Sequence, residues 1–239
     1  MSRTAGDRAD NRWSAEKREV ASTAREMATL GLVSGSSGNV SLKLGDHDSS
    51  DGLIAVTPFG MPCADLADDD IVVVNHDGEP VEDDQVPSSE TLLHIAVYRA
   101  RPDVGSVVHT HSVFATVAAV AGFEIPPIVD EMTIALGGTV RVSEYAFPST
   151  QELADNVTAA LGDRAAALIR NHGAVGVGGT AAKALSVCTL LERVAQIFVH
   201  ASLLRKAAPL PPEAIEAELA IYRMRRQAAG ESDSTPSAE

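Results

Sequence analysis

Two histidines one residue apart, His109 and His111, are the side chains of this sequence best suited to chemistry. They follow Val107 and Val108, whose β-branched side chains predict a short buried strand. Because side chains alternate between the two faces of a strand, both imidazoles should point the same way. Two imidazoles on one rigid face can bind a transition metal, and a pair of hydrogen-bonded histidines is the alternative.

A third histidine lies where it can reach the same place. His172 is at the centre of the turn Asn171-His172-Gly173 between two predicted strands, so its side chain can point off the sheet toward His109 and His111. Three histidines leave a fourth position open on Zn²⁺, as in catalytic zinc sites, and Mn²⁺ or Co²⁺ are also possible. Glu90 is a candidate for that position and for a base once substrate displaces it.

Two other stretches are suited to binding an anion. The small-residue loop Ser34 to Asn39 precedes a predicted strand and can direct backbone N–H groups and hydroxyls at a phosphate. Pro87-Ser88-Ser89-Glu90 opens a predicted helix, and Ser88 or Ser89 is the expected N-cap, where free N–H groups favour a phosphate. A tight turn and simple capping are the alternatives. Beside a metal and a base, these stretches predict Lewis-acid chemistry on a sugar phosphate.

The elements that must position these groups alternate irregularly, which predicts a layered α/β fold with a mixed sheet. One domain is expected over 13–227, between disordered tails at 1–12 and 228–239. The predicted helices are 14–30, with Ser14 as N-cap, and 88–101, 112–121, 150–161, 178–206 and 211–227. The predicted strands are 40–44, 53–56, 71–74, 107–112, 165–169 and 174–177.

Composition limits the partners. A chain of 239 residues with 45% hydrophobic content can bury one sizeable core. Its net charge of -14 argues against nucleic acid and membrane surfaces as partners, but not against a small phosphorylated sugar held by local donors. Cys63 and Cys188 predict two reduced thiols. With polar first residues and no apolar run near the length of a membrane span, a soluble cytoplasmic protein is expected.

Five short motifs, in this order along the chain, resemble those of the class II aldolase/adducin family, and in particular its fuculose-1-phosphate aldolase branch. The resemblance runs from about Glu16 to Ala207 and implies a three-layer α/β/α domain that assembles as a homotetramer with active sites at subunit interfaces. The motifs are Gly35-Ser36-Ser37-Gly38-Asn39-Val40-Ser41, Thr57-Pro58-Phe59-Gly60, Pro87-Ser88-Ser89-Glu90, His109-Thr110-His111 and Asn171-His172-Gly173.

The resemblance also implies a role for each motif. His109, His111 and His172 resemble the zinc ligands, and Glu90 resembles the catalytic acid/base and resting fourth ligand. The implied reaction is zinc-dependent retro-aldol cleavage of a ketose 1-phosphate to dihydroxyacetone phosphate and an aldehyde, in which Glu90 returns the proton at C3. The residues that match phosphate-binding positions are Ser36, Gly38, Asn39, Thr57, Gly60, Ser88 and Ser89.

Three positions depart from the branch. Phe59 stands where a threonine contacts the phosphate, and Tyr222 does not align with a tyrosine near the family C-terminus. Asp130 and Glu131 stand where a tyrosine handles the proton on the aldehyde oxygen, so that either one of them is that catalytic acid or both are surface charges. Because these changes surround the aldehyde, fuculose 1-phosphate and a 5-deoxypentulose 1-phosphate are both candidate substrates.

Three other functions remain open. A methylthioribulose-1-phosphate dehydratase would use an acid/base carboxylate such as Asp130 or Glu131. A ribulose-5-phosphate 4-epimerase shares the retro-aldol step, although that branch usually has an aspartate at the position of Glu90. A non-catalytic binding module like the adducin head shares the fold, but it would not need three histidines, a base and two phosphate-binding elements.

Overall fold

The computed structural model describes residues 13–45, 52–82 and 85–232. Within these ranges the chain forms seven α-helices, six strands and two short 3-10 helices at Cys63–Asp65 and Asp68–Asp70. The helices are α1 (Ser14–Thr29), α2 (Thr91–Ala100), α3 (Val113–Ala121), α4 (Asp130–Leu136), α5 (Gln151–Leu161), α6 (Ala181–Leu203) and α7 (Pro212–Ser232). The strands are β1 (Asn39–Lys43), β2 (Ile54–Val56), β3 (Val72–Val74), β4 (Ser106–Thr110), β5 (Ala166–Ile169) and β6 (Gly173–Gly178).

The six strands form one sheet in the order β3-β2-β1-β4-β6-β5. Each neighbouring pair in that sheet is antiparallel, and the parallel part of the predicted mixed sheet is limited to an isolated bridge between Val142 and Leu168. The short turn 170–172 between β5 and β6 accounts for one antiparallel pair, because a parallel pair needs a crossover of about a dozen residues. In the pairing of β1 with β4, Asn39 lies directly opposite His109.

Helices cover both faces of the sheet, which confirms the three-layer α/β/α fold. Successive side chains of β4 point to opposite faces of the sheet. Val107 packs in a core with α2 and α5 on one face, whereas Val108 packs in a core with α1 and α6 on the other. A third apolar cluster joins α3, α4 and α6 to β5 and β6. His109 is two residues after Val107, so its side chain lies on the same face of the sheet, toward α2.

Several helix ends differ from the predictions, among them the starts of α2 at Thr91 and of α6 at Ala181, each three residues later than expected. Ser14 is the first residue of α1 rather than its N-cap. The last helix continues to Ser232, beyond the predicted end at Gln227. The predicted N-terminal tail 1–12 and the last part of the predicted C-terminal tail, 233–239, lie outside the described residues.

The long helix α6 also differs from expectation, because its length and composition would allow it to cross a membrane. A core helix of a soluble protein meets the same criteria, and here Leu185, Val187 and Leu191 are buried among the apolar side chains that pack on the sheet. Cys188 of this helix and Cys63 are both buried and free.

Candidate metal centre and active site

Four side chains converge at the end of β4. The ligand atoms of Glu90, His109, His111 and His172 all lie within 4.8 Å of one another. The Nε2 atom of His109 is 2.8 Å from Oε2 of Glu90 and 2.9 Å from Nε2 of His111. The Nε2 atom of His172 is 3.6 Å from Oε1 of Glu90. The structure thus brings together the three histidines and the carboxylate that the sequence predicted as one metal site.

The start of α2 positions the carboxylate. The helix begins at Thr91, so Glu90 occupies the N-cap position that was predicted for Ser88 or Ser89. Instead of capping the helix, the Oγ of Ser88 accepts a hydrogen bond from the N–H of Glu90 over 3.3 Å. Because the N-cap residue is not yet helical, with φ -103° and ψ 17°, the Glu90 side chain can turn from the helix toward the histidines. Only 7% of Glu90 is exposed.

A hydrogen bond fixes how His109 faces the cluster. Its Nδ1 lies 2.9 Å from the carbonyl oxygen of Ala174, and a carbonyl can only accept, so Nδ1 carries the proton. In neutral His109 the lone pair is then on Nε2, which points at the other ligand atoms. Burial alone would raise the pKa of Glu90, but His109 and then His172 outweigh burial and lower it to about 2, so Glu90 is a carboxylate.

The donor set fits a cation. Oε1 of Glu90 and Nδ1 of His172 are buried and have no hydrogen-bond partner among the described residues. Nε2 of His109 lies 2.8 Å from a carboxylate oxygen, so a proton or a metal ion must lie between the two atoms. Burial lowers the pKa of His109, but Glu90 outweighs burial and raises it, so His109 holds a proton where a bound metal ion would replace it. Imidazole nitrogens and carboxylate oxygens are ligands that catalytic Zn²⁺ sites use. The cluster therefore suits a divalent transition metal.

A cleft of about 230 Å³ opens beside the cluster. Thr57 does not line it, because its side chain is buried and accepts a hydrogen bond from the N–H of Val40 over 3.3 Å. Phe59, which replaces the family threonine, lines the cleft with 61% of its surface exposed. The cleft is lined by six of the seven residues predicted to bind phosphate: Ser36, Gly38, Asn39, Gly60, Ser88 and Ser89.

The small-residue loop approaches the metal strand at Gly38. This residue has φ +73°, and a Cβ on it would lie 2.5 Å from Cγ1 of Val33 and 2.7 Å from the carbonyl oxygen of His109. A side chain would push the loop off β4, so glycine allows the predicted phosphate loop to lie against the metal strand. Within the loop, the Oγ of Ser37 donates to the carbonyl oxygen of Ser34 over 2.7 Å.

A buried chain of polar side chains that was not predicted from the sequence lies beside the cluster. Nε2 of His94 is 2.5 Å from Oδ1 of Asn39, and its Nδ1 is 2.6 Å from Oγ of Ser41. The Oγ of Ser41 is also 2.7 Å from the hydroxyl of Tyr98. Glu90, His94 and Tyr98 are four residues apart, which places them on one side of α2. This four-residue spacing could have indicated from the sequence that His94 and Tyr98 lie on the same side of the helix as Glu90.

Asp130 and Glu131 are not part of this cleft in their own chain. Both lie in the first turn of α4. Glu131 forms an ion pair with Arg193 of α6 at 3.3 Å, and Asp130 hydrogen-bonds with Glu218 of α7. Their predicted role as a catalytic acid therefore stays a prediction.

Replacing Gly173 with alanine should disturb the metal cluster. The added Cβ would lie 2.2 Å from the carbonyl oxygen of Thr110 and 3.2 Å from Cδ2 of His111, so strand backbone would have to move. We expect a loss of about 1–3 kcal/mol in the free energy of unfolding and weaker Zn²⁺ binding, measured by urea unfolding and metal titration. Gly179→Ala is the matched control, because no atom lies within 4 Å of its Cβ. Equal effects of both substitutions would contradict the prediction.

Comparison with known proteins identifies the family. The family model described as "Class II Aldolase and Adducin N-terminal domain" matches residues 18–199. The chain belongs to the class II aldolase and adducin family. This aldolase is 32% identical over 201 residues to a 5-deoxy-D-ribulose 1-phosphate aldolase of Bacillus thuringiensis serovar kurstaki, covering 84% of this chain and 92% of that protein.

Two further relatives agree with this assignment. A 5-methylthioribulose-1-phosphate/5-deoxyribulose-1-phosphate aldolase of Rhodospirillum rubrum is 36% identical over 200 residues, covering 84% of this aldolase and 87% of the relative. A solved structure of an L-fuculose 1-phosphate aldolase superposes with a TM-score of 0.82 at 31% identity, covering 88% of this chain and 97% of that one. The predicted family, fold class and enzyme class are confirmed.

Proposed function

We propose that this aldolase binds Zn²⁺ and cleaves a ketose 1-phosphate to dihydroxyacetone phosphate and an aldehyde. The observation that carries the proposal is the position of the four-residue cluster at a cleft lined by six predicted phosphate-binding residues. A 5-deoxypentulose 1-phosphate is the substrate we favour, because two relatives that align with 84% of the chain are named for 5-deoxyribulose 1-phosphate. Fuculose 1-phosphate is the second candidate.

In this proposal His109, His111 and His172 hold the metal, and Glu90 completes the set until substrate arrives. Bound Zn²⁺ would act as a Lewis acid that polarises the C2 ketone. Glu90 is buried and its Oε1 accepts no hydrogen bond among the described residues, so it can take up a proton and return it to C3 after the C3–C4 bond breaks. The hydrogen bond to Ala174 keeps the His109 lone pair directed at the cluster throughout.

The other half of the cleft would hold the phosphate. Ser88 and Ser89 precede the N-terminus of α2, where backbone N–H groups and the helix dipole favour an anion. Ser36 and Asn39 line the opposite wall and add a hydroxyl and an amide. The Phe59 side chain cannot form a hydrogen bond. The phosphate would therefore have one contact fewer than in the fuculose-1-phosphate branch, where a threonine stands at this position.

We further propose that the enzyme is a cytoplasmic homotetramer. Asp130 and Glu131 do not line the cleft of their own chain, so either could serve as the acid for the aldehyde only at the cleft of another subunit. On α3, Val113, Val117 and Val120 form one apolar face and are 64%, 44% and 52% exposed, which suits a subunit contact. Light scattering during size-exclusion chromatography would measure the number of subunits.

A coupled assay for dihydroxyacetone phosphate tests the proposed reaction. The Zn²⁺-loaded protein should release dihydroxyacetone phosphate from 5-deoxyribulose 1-phosphate faster than from fuculose 1-phosphate. A chelator should abolish release, and added Zn²⁺ should restore it. Faster release from fuculose 1-phosphate would reverse the order of the substrates. If neither ketose 1-phosphate releases dihydroxyacetone phosphate while a metal is bound, the proposed reaction is wrong.

A further inference from the structure

We propose that His94, Ser41 and Tyr98 form a positioning relay that holds the side-chain amide of Asn39 with its N–H groups toward the bound phosphate. The relay rests on the proposed function, because a phosphate in the cleft is what Asn39 would bind. None of the three relay residues lines the cleft, so they act through Asn39 and do not touch the substrate.

The direction of each hydrogen bond follows from the groups involved. Oδ1 of Asn39 can only accept, so Nε2 of His94 donates to it over 2.5 Å. His94 is completely buried, and this burial lowers its pKa to about 3, so the imidazole is neutral and its Nδ1 must accept. The Ser41 hydroxyl therefore donates to Nδ1 over 2.6 Å and accepts in turn from the Tyr98 hydroxyl over 2.7 Å.

The opposite direction is chemically conceivable but leaves Tyr98 unsatisfied. If the Asn39 amide were turned around, its N–H would donate to His94, His94 would donate to Ser41, and Ser41 would donate to Tyr98. The Tyr98 oxygen already has a backbone hydrogen bond with Val107. The phenolic proton would then have no acceptor among the described residues, at a cost of about 1–3 kcal/mol for a buried polar group. The chain of donors therefore runs from Tyr98 to Asn39.

The direction of the relay decides whether the N–H groups or the oxygen of the Asn39 side-chain amide face the phosphate. Asn39 lines the cleft and is 4% exposed, and no acceptor for its Nδ2 is found within the described residues. In the relay's orientation the two amide protons are available to a phosphate oxygen. In the reversed orientation the amide oxygen would face the phosphate and repel it. The buried hydroxyls of Ser41 and Tyr98 thus determine, through His94, whether the phosphate site attracts or repels an anion.

Removing the hydroxyls tests the relay. Ser41→Ala in the full-length, Zn²⁺-loaded protein should weaken the binding of inorganic phosphate by about 3–10-fold, as expected for one buried hydrogen bond. Tyr98→Phe leaves the Ser41 hydroxyl able to donate to His94 and should weaken phosphate binding less. The KM for 5-deoxyribulose 1-phosphate should rise by a similar factor, while kcat and the Zn²⁺ content stay within twofold. Tyr222→Phe is the matched control, because the Tyr222 hydroxyl donates to the carbonyl oxygen of Asp163 over 2.8 Å, away from the cleft.

NMR of ¹⁵N-labelled histidine measures which ring nitrogen of His94 carries the proton, and it needs no substrate. His94 should be the neutral tautomer protonated at Nε2 in the wild type, and it should become a mixture of tautomers in Ser41→Ala, where Nδ1 loses its donor. A wild-type His94 protonated at Nδ1 would overturn the relay, and so would unchanged phosphate affinity in Ser41→Ala. If the wild type binds no phosphate although Zn²⁺ is present, and His94 is protonated at Nε2, the assignment of the phosphate cleft fails instead.

Discussion

Replacing Glu90 with glutamine is expected to lower kcat for ketose 1-phosphate cleavage by about 10²–10⁴-fold, the range typical of a lost acid/base group. Glutamine keeps the size of the side chain but cannot take up and return the proton at C3. The three histidines remain, so most of the Zn²⁺ should stay bound. Steady-state kinetics together with metal analysis by mass spectrometry would separate the loss of the proton carrier from the loss of metal.

Glu26→Gln, which removes an exposed carboxylate from α1, is the control and should leave kcat unchanged. A Glu90→Gln enzyme that keeps kcat within tenfold of the wild type would contradict the role of Glu90. In that case Asp130→Asn and Glu131→Gln become the decisive variants, because those are the other carboxylates that the sequence offered as proton carriers.

Replacing His172 with alanine is expected to lower the affinity for Zn²⁺ by more than about 100-fold, the upper end of what changes around a metal ligand cost. Activity at limiting Zn²⁺ should fall with it. His172 is in the turn 170–172 rather than in the sheet, so its removal should affect folding less than removal of the fully buried His109. Competition with a chromophoric chelator measures the affinity.

His76→Ala removes an exposed histidine far from the cluster and is the control for loss of an imidazole. Unfolding curves should be similar for both variants. If His172→Ala binds Zn²⁺ as tightly as the wild type, then His172 is not a ligand and the fourth position around the metal has to be reassigned.

The sequence predicted the core of the cluster because its geometry is local. The alternation of a strand predicted His109 and His111 on one side, and their Nε2 atoms do meet, although β4 ends at Thr110, one residue before His111. His172 needed only the expectation that it lies in a turn between two strands. The direction of strand pairing was harder, since it depends on contacts between distant segments, and the sheet is antiparallel apart from the bridge between Val142 and Leu168.

Side-chain direction at the edges of elements could not be predicted. Serine is a common N-cap, but the hydroxyl of Thr91 donates to the carbonyl oxygen of Ser88, and α2 starts after Glu90. Thr57 belongs to a motif predicted to bind phosphate, yet its side chain turns toward the backbone of β1. A motif fixes where a residue lies along the chain, whereas the packing around it decides which way its side chain points.

Two residues of the relay are polar side chains in the buried part of α2, where apolar side chains would be expected. His94 and Tyr98 are both buried there. Polar side chains can be buried when their hydrogen bonds are satisfied, as theirs are by Ser41 and Asn39. A pattern of hydrophobic residues alone does not include such partners.

The register of β1 against β4 has a consequence for substrate length. Because Asn39 is paired with His109, backbone hydrogen bonds of the sheet hold these two residues one strand apart, about 4.8 Å. In the proposed function, a metal ligand and an amide for the phosphate therefore lie on neighbouring strands. We expect such a cleft to favour a ketose phosphate whose ketone and phosphate ester are on adjacent carbons over an isomer phosphorylated at the far end of the sugar.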